Sequence, residues 1–483
     1  MEFLSTIILA ITVSISANVN NFPTDQTDEI YRPQFHFSPE QNWSSAPNGL
    51  VYYDGEYHLF YQYNPNGKEQ GYMHWGHAVS SDLIHWEHLP VAIYPDENSS
   101  DIERCTAYSG SAIVDQNNVL GKQQGDTQTL VAFYTSQQCG QRIAYSTDKG
   151  RTWEKYENNP IIPYDENDDA RDPKVFWHQA SKKWIMVLYR KLNENDNSKG
   201  VSIYTSEDLT HWDWKSHVPG FFEHPDLVEL PVDGQPDKTL WALFDGDGSY
   251  LLGNFDGEKF IPITSKLKSD WGKNYYATQT WNNIPKEDGR VLQIAWMKGG
   301  EYPEMPFNGQ MTFPSELSVT QSTDGYQLVR KPIAEIEQLY NKQYEWSDKN
   351  LIPGIKKNLI RKVTGDCLRI VGEFDVKTSN NFGFLIRHSV KNEGTEIMYN
   401  VKRGLLTVLG STVPMLPVNN KIKLDILIDR TSVEIYANGG KTVISNCFTP
   451  DEKSKNIVLY TNGGELGVEK LDAYKLNSIW EEK

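Results

Sequence analysis

The chain has 483 residues, which is enough for roughly two to four domains. Aromatic residues make up 12% of it, with 14 Trp and 26 Tyr, and this composition is typical of a β-rich globular protein and excludes a disordered one. The formal net charge of -17 argues against nucleic acid or an anionic membrane as a partner, because phosphate binding needs a basic surface, whereas a neutral ligand is compatible with it.

The first predicted element is a secretory signal peptide over residues 1–17. Residues 3–17, FLSTIILAITVSISA, are apolar and end in small residues, although the start carries Glu2 and no Lys or Arg. This run is too short for a transmembrane helix, and no later run is long enough to span a bilayer. The sequence therefore predicts a secreted protein without a membrane partner.

Secretion permits disulfides and N-linked glycans. Pairing within each predicted domain would join the first two and the last two of the cysteines, and four free thiols are the alternative. The cysteines are Cys105, Cys139, Cys367 and Cys447. Glycosylation sequons begin at Asn42 and Asn98, and the first lies close to a candidate site.

Short alternating runs then recur along the chain and predict antiparallel sheet. Each is bounded by Gly, Asn, Asp or Pro, which are turn residues. The runs include LVYYDGEYHLFYQY, TLVAFYTS, KWIMVLYR, TLWALFDGDGSYLLGNF and RVLQIAWM.

A weak repeat indicates how these strands are arranged. The segments SSDLIHW (80–86), STDKGRTW (146–153) and SEDLTHW (206–212) share a Ser-x-Asp followed by Trp, and lie about sixty residues apart. That is the length of a four-stranded propeller blade with its loops, and residues 32–335 hold five such lengths. The alternative is chance recurrence of a turn followed by Trp. We predict a five-bladed propeller domain over residues 18–335.

The pattern changes beyond residue 330. Residues 331–345, KPIAEIEQLYNKQYE, have helical spacing and predict a helical linker over 336–349. Residues 350–483 contain strand-like runs separated by short turns, such as LRIVGEFDV and KLDILIDRTSVEIYANGG, which predict a β-sandwich. The expected fold is therefore all-β, a five-bladed β-propeller followed by a C-terminal β-sandwich.

Three stretches hold candidate site residues. They are WSSAPNG (43–49), ARDPKVFW (170–177) and FFEHPDLVEL (221–230), and the last two place a carboxylate beside a proline in a strand-like context. Proline fixes the local backbone and limits strand pairing, which is one way to hold a carboxylate at a sheet end. Taken singly, each stretch is also an ordinary turn. The His residues show no metal-ligand spacing, so we expect neither a metal nor a cofactor.

Together these stretches resemble glycoside hydrolase family 32, the β-fructofuranosidases. The similarity runs from about residue 32 to the C-terminus, and its specificity comes from several motifs in one order. They include HFSPEQNW, PNGLVYYDGEYHLFYQYNP, HWGHAVSSDLIHWEHLP, RDPKVFW and DRTSVEIYANGG. The resemblance implies a five-bladed propeller followed by a β-sandwich. It also implies a retaining mechanism, in which two carboxylates lie about 5 Å apart.

The resemblance also implies residue roles. Glu223 matches the acid/base. Asp172 matches the carboxylate that hydrogen-bonds to two fructose hydroxyls, and Arg171 is its charged neighbour. Amide, hydroxyl and indole groups suit a sugar, because they bond its hydroxyls and cover its apolar face. The matching positions around the fructosyl unit are Gln62, Trp75, Tyr108 and Ser109.

The opening stretch departs from the family pattern, Trp-x-Asn-Asp-Pro-Asn-Gly. Ala46 occupies the nucleophile position, Ser45 replaces the Asn, and Gln70 stands where many members have Trp. A methyl group cannot attack an anomeric carbon, so hydrolysis of sucrose or a related fructan is predicted to be strongly impaired. The Ala arises either from an engineered exchange or from natural divergence, and the changes at Ser45 and Gln70 favour divergence.

The sequence thus leaves three functional hypotheses open. The first is a β-fructofuranosidase-type enzyme with impaired hydrolysis of sucrose or fructan, and the second is an inactive protein that binds β-fructosides. The third is a protein in which binding has also decayed. Without the nucleophile's negative charge, we expect Glu223 to ionise more readily than its family counterpart. Oligomeric state and the preference among sucrose, inulin and levan stay open.

Overall fold

The computed structural model of the protein describes residues 29–96, 104–193, 196–354, 358–389, 391 and 394–480. The signal peptide predicted for residues 1–17 and the sequon at Asn98 lie outside these residues. Within the described part of the chain, no helix has the length and apolar character needed to cross a bilayer.

The N-terminal part of the described chain consists of β-strands and one short 3-10 helix, Asp196–Ser198. The strands are β1 (Asn42–Tyr53), β2 (Glu56–Asn64), β3 (His74–Ser80), β4 (Glu87–Ile93), β5 (Ala107–Asp115), β6 (Thr129–Ser136), β7 (Gly140–Ser146), β8 (Glu154–Lys155), β9 (Arg171–His178), β10 (Lys183–Lys191), β11 (Lys199–Ser206), β12 (Asp213–Pro219), β13 (Asp226–Val232), β14 (Gln235–Phe244), β15 (Ser249–Phe255), β16 (Phe260–Pro262), β17 (Leu267–Lys268), β18 (Tyr276–Thr280), β19 (Val291–Trp296), β20 (Phe307–Asn308), β21 (Ser315–Ser322) and β22 (Gly325–Pro332).

These strands form a β-propeller, as predicted. Strands β1–β4 with β20, strands β5–β8 and strands β9–β12 make three antiparallel sheets with consecutive strand order, apart from the parallel pair β1 and β20. Strands β13–β19, β21 and β22 form one nine-stranded sheet. A five-bladed propeller would divide these strands between two separate blades, but here they are hydrogen-bonded together. The count of five blades therefore stays a prediction.

The innermost strands run side by side around the centre of the propeller. Strand β5 lies against β1 and β9, and β1 also lies against β18. Polar side chains join them: Asn282 donates hydrogen bonds to the carbonyl oxygens of Ala112 (2.7 Å) and Val175 (2.9 Å). Residues near the starts of β1, β5 and β9 line one cavity and residues near their ends line another, so these strands run in one direction along the channel.

The Ser-x-Asp repeat has a structural role in three sheets. Each copy follows the third strand, and its Asp caps the turn that leads to the fourth strand. Asp82 Oδ1 accepts from the backbone N–H of His85 at 2.8 Å, and Asp208 Oδ1 accepts from that of His211 at 2.8 Å. Asp148 Oδ1 likewise accepts from the N–H of Thr152 at 2.9 Å. The repeat is thus an Asx-type turn that recurs between equivalent strands.

The C-terminal part is a β-sandwich, as predicted. Its strands are β23 (Tyr340–Leu351), β24 (Leu368–Asp375), β25 (Asn381–His388), β26 (Thr395–Asn400), β27 (Leu405–Val408), β28 (Ser411–Pro414), β29 (Lys421–Ile428), β30 (Ser432–Ala437), β31 (Thr442–Cys447), β32 (Asn456–Asn462) and β33 (Leu466–Leu476). A six-stranded sheet, ordered β23-β33-β24-β29-β30-β31, packs on a five-stranded sheet, ordered β28-β27-β26-β25-β32. Side chains such as Phe374, Phe384 and Ile426 fill the core between them.

The motif DRTSVEIYANGG joins the two domains. His36, which precedes β1, is fully buried between Asp429 and Glu434, with its ring nitrogens 2.8 Å from a carboxylate oxygen of each. Asp429 also accepts from the backbone N–H groups of Gln34 and Phe35, and Glu434 from that of Phe313. A buried carboxylate needs such partners, so these contacts fix the sandwich against the propeller.

The helical linker predicted for 336–349 is wrong over most of its length. A 3-10 helix spans Ala334–Leu339 and buries Ile336 and Leu339, but residues Tyr340–Leu351 form strand β23. This strand pairs antiparallel with β33 along its length, because the sandwich sheet offers an edge whose backbone groups need partners.

Of the two disulfides expected from pairing within each domain, one forms and one does not. Cys105 and Cys139 form a disulfide with their Cα atoms 5.3 Å apart, whereas Cys367 and Cys447 are free thiols. Cys367 stands at the start of β24 and Cys447 at the end of β31, with β29 and β30 between them. Three strand spacings of ~4.8 Å separate the two thiols, which is beyond the reach of a disulfide.

Candidate active site

A cavity of about 190 Å³ lies where the innermost propeller strands begin. Eight of the predicted site residues line it, and six further side chains complete its wall. The predicted ones are Ser45, Ala46, Gln62, Gln70, Tyr108, Arg171, Asp172 and Glu223. The further ones are Trp43, Met73, His224, Tyr276, Trp296 and Lys298.

Bulges in the innermost strands turn side chains into this cavity. In β1, Ser45 and Ala46 together stand opposite the one residue Gln62, between the pairs Ser44↔Tyr63 and Pro47↔Tyr61. The extra residue breaks the alternation, so two consecutive side chains line the cavity. Ala46 is buried, with 3% of its surface exposed. The nucleophile position thus lies in the cavity wall and presents a methyl group.

Asp172 lies at a similar bulge in β9. The pairing with β10 shifts between Lys174↔Val187 and Arg171↔Tyr189, and Asp172 has φ 61°. This left-handed conformation is strained for a residue with a side chain, and such strain concentrates at functional sites. The Asp172 backbone N–H donates to Thr135 Oγ1 (2.9 Å), and its Oδ2 accepts from the backbone N–H of His224 (3.1 Å).

Glu223 is held from two sides, just before β13. Its Oε1 accepts from Arg171 Nη2 at 2.9 Å, and its Oε2 accepts from the Tyr276 hydroxyl at 2.5 Å. Glu223 and His224 both have positive φ, 58° and 41°. Each carboxylate oxygen of Glu223 therefore accepts a hydrogen bond. The backbone of Glu223 and His224 is held in a strained conformation.

These contacts favour the ionised form of Glu223. Burial acts to raise its pKa, but the nearby His224, the hydrogen bond from Tyr276 and the Arg171 guanidinium together hold the pKa below its ordinary value of 4.5. Burial and the same hydrogen bond raise the pKa of the Tyr276 hydroxyl, which stays a donor. Glu223 is thus an anion near neutral pH and a poor proton donor.

Arg171 is the cationic centre of the site. It contacts Asp169 and Glu223 through its terminal nitrogens, at 2.5 and 2.9 Å, and its Nε lies 3.9 Å from Asp172. Its guanidinium stacks over the rings of Tyr189 and Phe222, with distances of 4.5 and 5.2 Å to the ring centroids. Although burial acts to lower it, the pKa of Arg171 is raised by Asp172 and the other carboxylates.

A chain of neutral polar groups forms another part of the wall. Ser45 Oγ donates to Gln62 Oε1 (3.2 Å), and Gln62 Nε2 donates to Ser109 Oγ (2.8 Å). Ser109 is fully buried behind this chain and does not line the cavity. Gln70 lies exposed at the rim.

Trp75 also does not reach the cavity wall. Its ring is fully buried against Phe60 and Tyr134, and its Nε1 donates to the Tyr108 carbonyl oxygen at 2.7 Å. It therefore positions Tyr108 and does not cover a sugar face. Trp43 and Trp296, which pack edge to face with centroids 6.3 Å apart, supply the aromatic wall.

Sequence reasoning missed Tyr276, Trp296 and Lys298. Tyr276 starts β18 and Trp296 ends β19, and they are register partners; Lys298 Nζ lies 4.0 Å from the Tyr276 ring centroid. They lie far along the chain from the three recognised stretches. For Tyr276 and Trp296, the only local signal is an aromatic residue at a strand end, and many aromatic residues with a purely structural role share that position.

The chain is similar to known proteins along most of its length. Residues 36–332 match Glycosyl hydrolases family 32 N-terminal domain, and residues 335–475 match Glycosyl hydrolases family 32 C terminal. Levanase of Bacillus subtilis (strain 168) is 40% identical over 98% of this chain and 74% of its own length. Extracellular exo-inulinase of Aspergillus awamori is 32% identical over 94% of this chain and 96% of its own.

Solved structures are similar as well. The crystal structure of exo-inulinase from Aspergillus awamori has a TM-score of 0.85 and 30% identity, and the match covers 94% of this chain and 99% of that one. An aspartate-to-alanine mutant of the Bombyx mori β-fructofuranosidase, in complex with sucrose, has a TM-score of 0.72 and 26% identity, with 94% and 95% covered.

Proposed function

Because the chain belongs to glycosyl hydrolase family 32, we propose that it recognises the fructosyl unit of sucrose or a fructan and hydrolyses it only weakly. The proposal rests on Ala46. This residue lines the cavity at the position that the family pattern gives to the nucleophile. A retaining mechanism needs a carboxylate there, about 5–5.5 Å from the acid, to form the covalent glycosyl intermediate. A methyl group forms no such bond.

Neighbouring groups are poorly suited to replace the nucleophile. The Ser45 hydroxyl donates its hydrogen to the neutral amide of Gln62, and no basic group among the described residues accepts it. The Ser44 hydroxyl is buried and has no hydrogen-bond partner among the described residues. An unactivated serine is a weak nucleophile. Asp172 accepts a backbone N–H from His224, so an attack from Asp172 would break that contact.

The state of Glu223, the acid of the family mechanism, also disfavours hydrolysis. In the family mechanism, the acid protonates the leaving oxygen and later activates water. Glu223 has a lowered pKa and two donors on its carboxylate, so near neutral pH it holds no proton to give. A negative charge at position 46 would disfavour this ionised state, and Ala46 does not supply it.

Several features of the cavity support sugar recognition. Gln62, Asp172 and Arg171 offer acceptors and donors for hydroxyl groups, and the edge-to-face pair Trp43 and Trp296 offers an apolar surface. Neutral sugars need this combination of polar and aromatic groups. The Bombyx mori mutant that holds sucrose carries one alanine in place of an aspartate, so a relative of this chain binds sucrose after such a change.

The alternative is a protein that binds β-fructosides and does not cleave them. The same observation, Ala46 in an otherwise polar cavity, favours it. The two hypotheses differ in whether any turnover remains, which only a rate measurement decides.

The test compares three chains: the unchanged protein, Ala46→Asp and the neutral, nearly isosteric Ala46→Asn. Hydrolysis and calorimetric binding of sucrose, inulin and levan are measured for each. We expect binding with only weak turnover for the unchanged protein and for Ala46→Asn. Loss of a nucleophile typically removes about four to six powers of ten in rate, so Ala46→Asp should recover about a thousandfold or more.

The outcomes separate the hypotheses. Measurable turnover that Ala46→Asp increases supports a weak hydrolase, and binding with no turnover supports the binding protein. Robust hydrolysis by the unchanged protein refutes the missing-nucleophile argument. Failure of every chain to bind sucrose or either fructan refutes sugar recognition.

We also propose that the protein is exported. The Cys105–Cys139 disulfide fits an oxidising compartment. The Aspergillus relatives are named extracellular exo-inulinases. In the producing cell, the mature N-terminus should begin close to residue 18, which N-terminal sequencing of the medium fraction measures. A retained N-terminus inside the cell would contradict it.

A further inference from the structure

We propose that the protein has a second sugar-binding site, for neutral oligosaccharides, at the opposite end of the propeller channel. The site is a cavity of about 760 Å³, which we name the distal cavity. Its volume falls within the range of ~300–1,000 Å³ that ligand sites occupy. The inference goes beyond the proposed function, because it concerns residues that do not contact the candidate active site.

The distal cavity is built from the far ends of the strands that begin at the active site. Tyr52 and Tyr53 end β1, and Phe176 and Trp177 lie near the end of β9. Tyr52 lies six positions after Ala46, which at ~3.3 Å per residue places the two cavities about 20 Å apart. A ligand in the distal cavity therefore does not compete directly for the active site.

Polar side chains fill the channel between the two cavities. Lys174 is buried, donates to the Thr280 carbonyl oxygen at 2.7 Å and lies 3.5 Å from Asp226 Oδ1. Asp226 Oδ2 accepts from the Thr280 backbone N–H at 2.6 Å. This network joins β9, β13 and β18 between the two cavities, which share no lining residue.

The distal cavity has an aromatic surface that is accessible to a ligand. Trp177 is 36% exposed, and its ring packs edge to face on Trp184 at a centroid distance of 5.1 Å. Tyr53, Phe176 and Trp281 add further ring surface. A contiguous apolar surface that stays exposed is a common mark of a binding site.

Polar groups with open hydrogen-bonding capacity lie between these rings. The Trp184 indole N–H is buried and has no partner among the described residues. Gln179 accepts from the Trp177 indole N–H at 3.0 Å, which leaves its own amide N–H groups unpaired within the described chain. Asn282 donates through its side-chain amide nitrogen, and its side-chain oxygen Oδ1 has no donor among the described residues. Donors and acceptors interleaved with rings are what sugar hydroxyls and C–H faces require.

The charges of the distal cavity favour a neutral ligand. Among the described residues that line it, the only acid is Asp54, which pairs with Lys149 at 2.5 Å, and the only base is the exposed Lys286. A phosphate or carboxylate ligand would need a cationic cluster, which the lining of the cavity does not contain. Oligosaccharides without charge are therefore the class that fits both the rings and the amides.

The experiment uses the full chain and three probes: inulin oligosaccharides, levan oligosaccharides and cellotetraose. Calorimetry and indole ¹⁵N NMR measure binding to the unchanged protein, Trp177→Ala, Gln179→Ala and the control Trp214→Ala. Trp214 is an indole on β12, 52% exposed and outside the distal cavity. Circular dichroism and thermal midpoints establish that each variant is folded.

We expect at least one probe to perturb the Trp177 and Trp184 indole signals, whether it is a fructan or cellotetraose. Trp177→Ala should weaken that binding about tenfold or more, as truncation of a central aromatic contact does, and Gln179→Ala should weaken it less. Trp214→Ala should bind as the unchanged protein does. The fructan and cellotetraose arms distinguish a substrate-like ligand from another glycan.

Two results would overturn the proposal. The first is indole signals of Trp177 and Trp184 that do not move with any of the three probes at saturation. The second is equal affinity of the folded Trp177→Ala variant and the unchanged protein, read from the Trp184 indole signal, because calorimetry of a fructan also includes binding at the active site. Neither result bears on the active site, because sucrose binding there depends on residues about 20 Å away.

Discussion

Replacing Ala46 with Asp should raise the pKa of Glu223. The new carboxylate would line the same cavity as Glu223, and two negative charges at close range disfavour ionisation of both. At the ~5.5 Å separation of retaining glycosidases and an effective dielectric constant of about 20, the repulsion is about 3 kcal/mol. That energy corresponds to a rise of about two in pKa.

The structure reduces this value. The Glu223 side chain is 26% exposed, so water screens part of the repulsion, and Arg171 binds Glu223 Oε1 at 2.9 Å and lies between several carboxylates. We therefore expect the pKa of Glu223 to rise by about one to two when Asp is introduced. From its lowered starting value, the acid would then hold a proton over a wider pH range, as a general acid must.

The assay is a ¹³C NMR titration of labelled glutamate carboxylates between pH 2.5 and 8. Glu223→Gln identifies the signal, and Ala46→Asn is the control for changed packing and burial without charge. Because the two acids in Ala46→Asp interact, the titration reports values for the pair, and the higher one is compared. An equal rise in Ala46→Asn and Ala46→Asp, or no rise in either, would refute the electrostatic argument.

Two further predictions concern the active site and the domain interface. Tyr276→Phe removes the donor to Glu223 Oε2 and should raise the pKa of Glu223 by about one, in the same NMR titration; an unchanged value would show that the hydrogen bond does not favour the ionised form. His36 lies between Asp429 and Glu434, and although burial lowers its pKa, the hydrogen bonds to these carboxylates raise it to about 9. A raised pKa stabilises the fold fully below about 6.5, and this contribution is lost as pH rises through about 9. Urea unfolding of the unchanged protein should therefore lose roughly 3 kcal/mol between these pH values, and His36→Gln should lack that slope; parallel curves for the two chains would contradict the assignment.

Local signals in the sequence predicted much of the architecture. Alternation and turn residues indicated the sheets, because side-chain direction in a strand depends only on neighbouring residues. The Ser-x-Asp repeat at Asp82, Asp148 and Asp208 is a turn whose hydrogen bonds stay within a few residues. The repeat could therefore be recognised from the sequence without knowing how the strands pair.

The predictions that failed concern residues whose conformation or burial is set by partners far away in the sequence. Residues 340–349 fall within the predicted helical linker, yet they form a strand because β33 offers hydrogen-bond partners more than a hundred residues away. Cys367 and Cys447 lie in one domain, yet two strands separate them. Trp75 matched the sugar-binding pattern, but packing against Phe60 and Tyr134 places its ring behind the cavity wall.

By itself, the sequence determined the two carboxylates of the site and the absence of a third at position 46. Ala46, Asp172 and Glu223 could be read from three short stretches, because residue identity is a local property. Only the tertiary structure decided how those groups behave. The lowered pKa of Glu223 depends on Arg171 and Tyr276, which the propeller brings from other strands to the same carboxylate. Electrostatic interactions depend on distances in space, and the fold alone sets those distances.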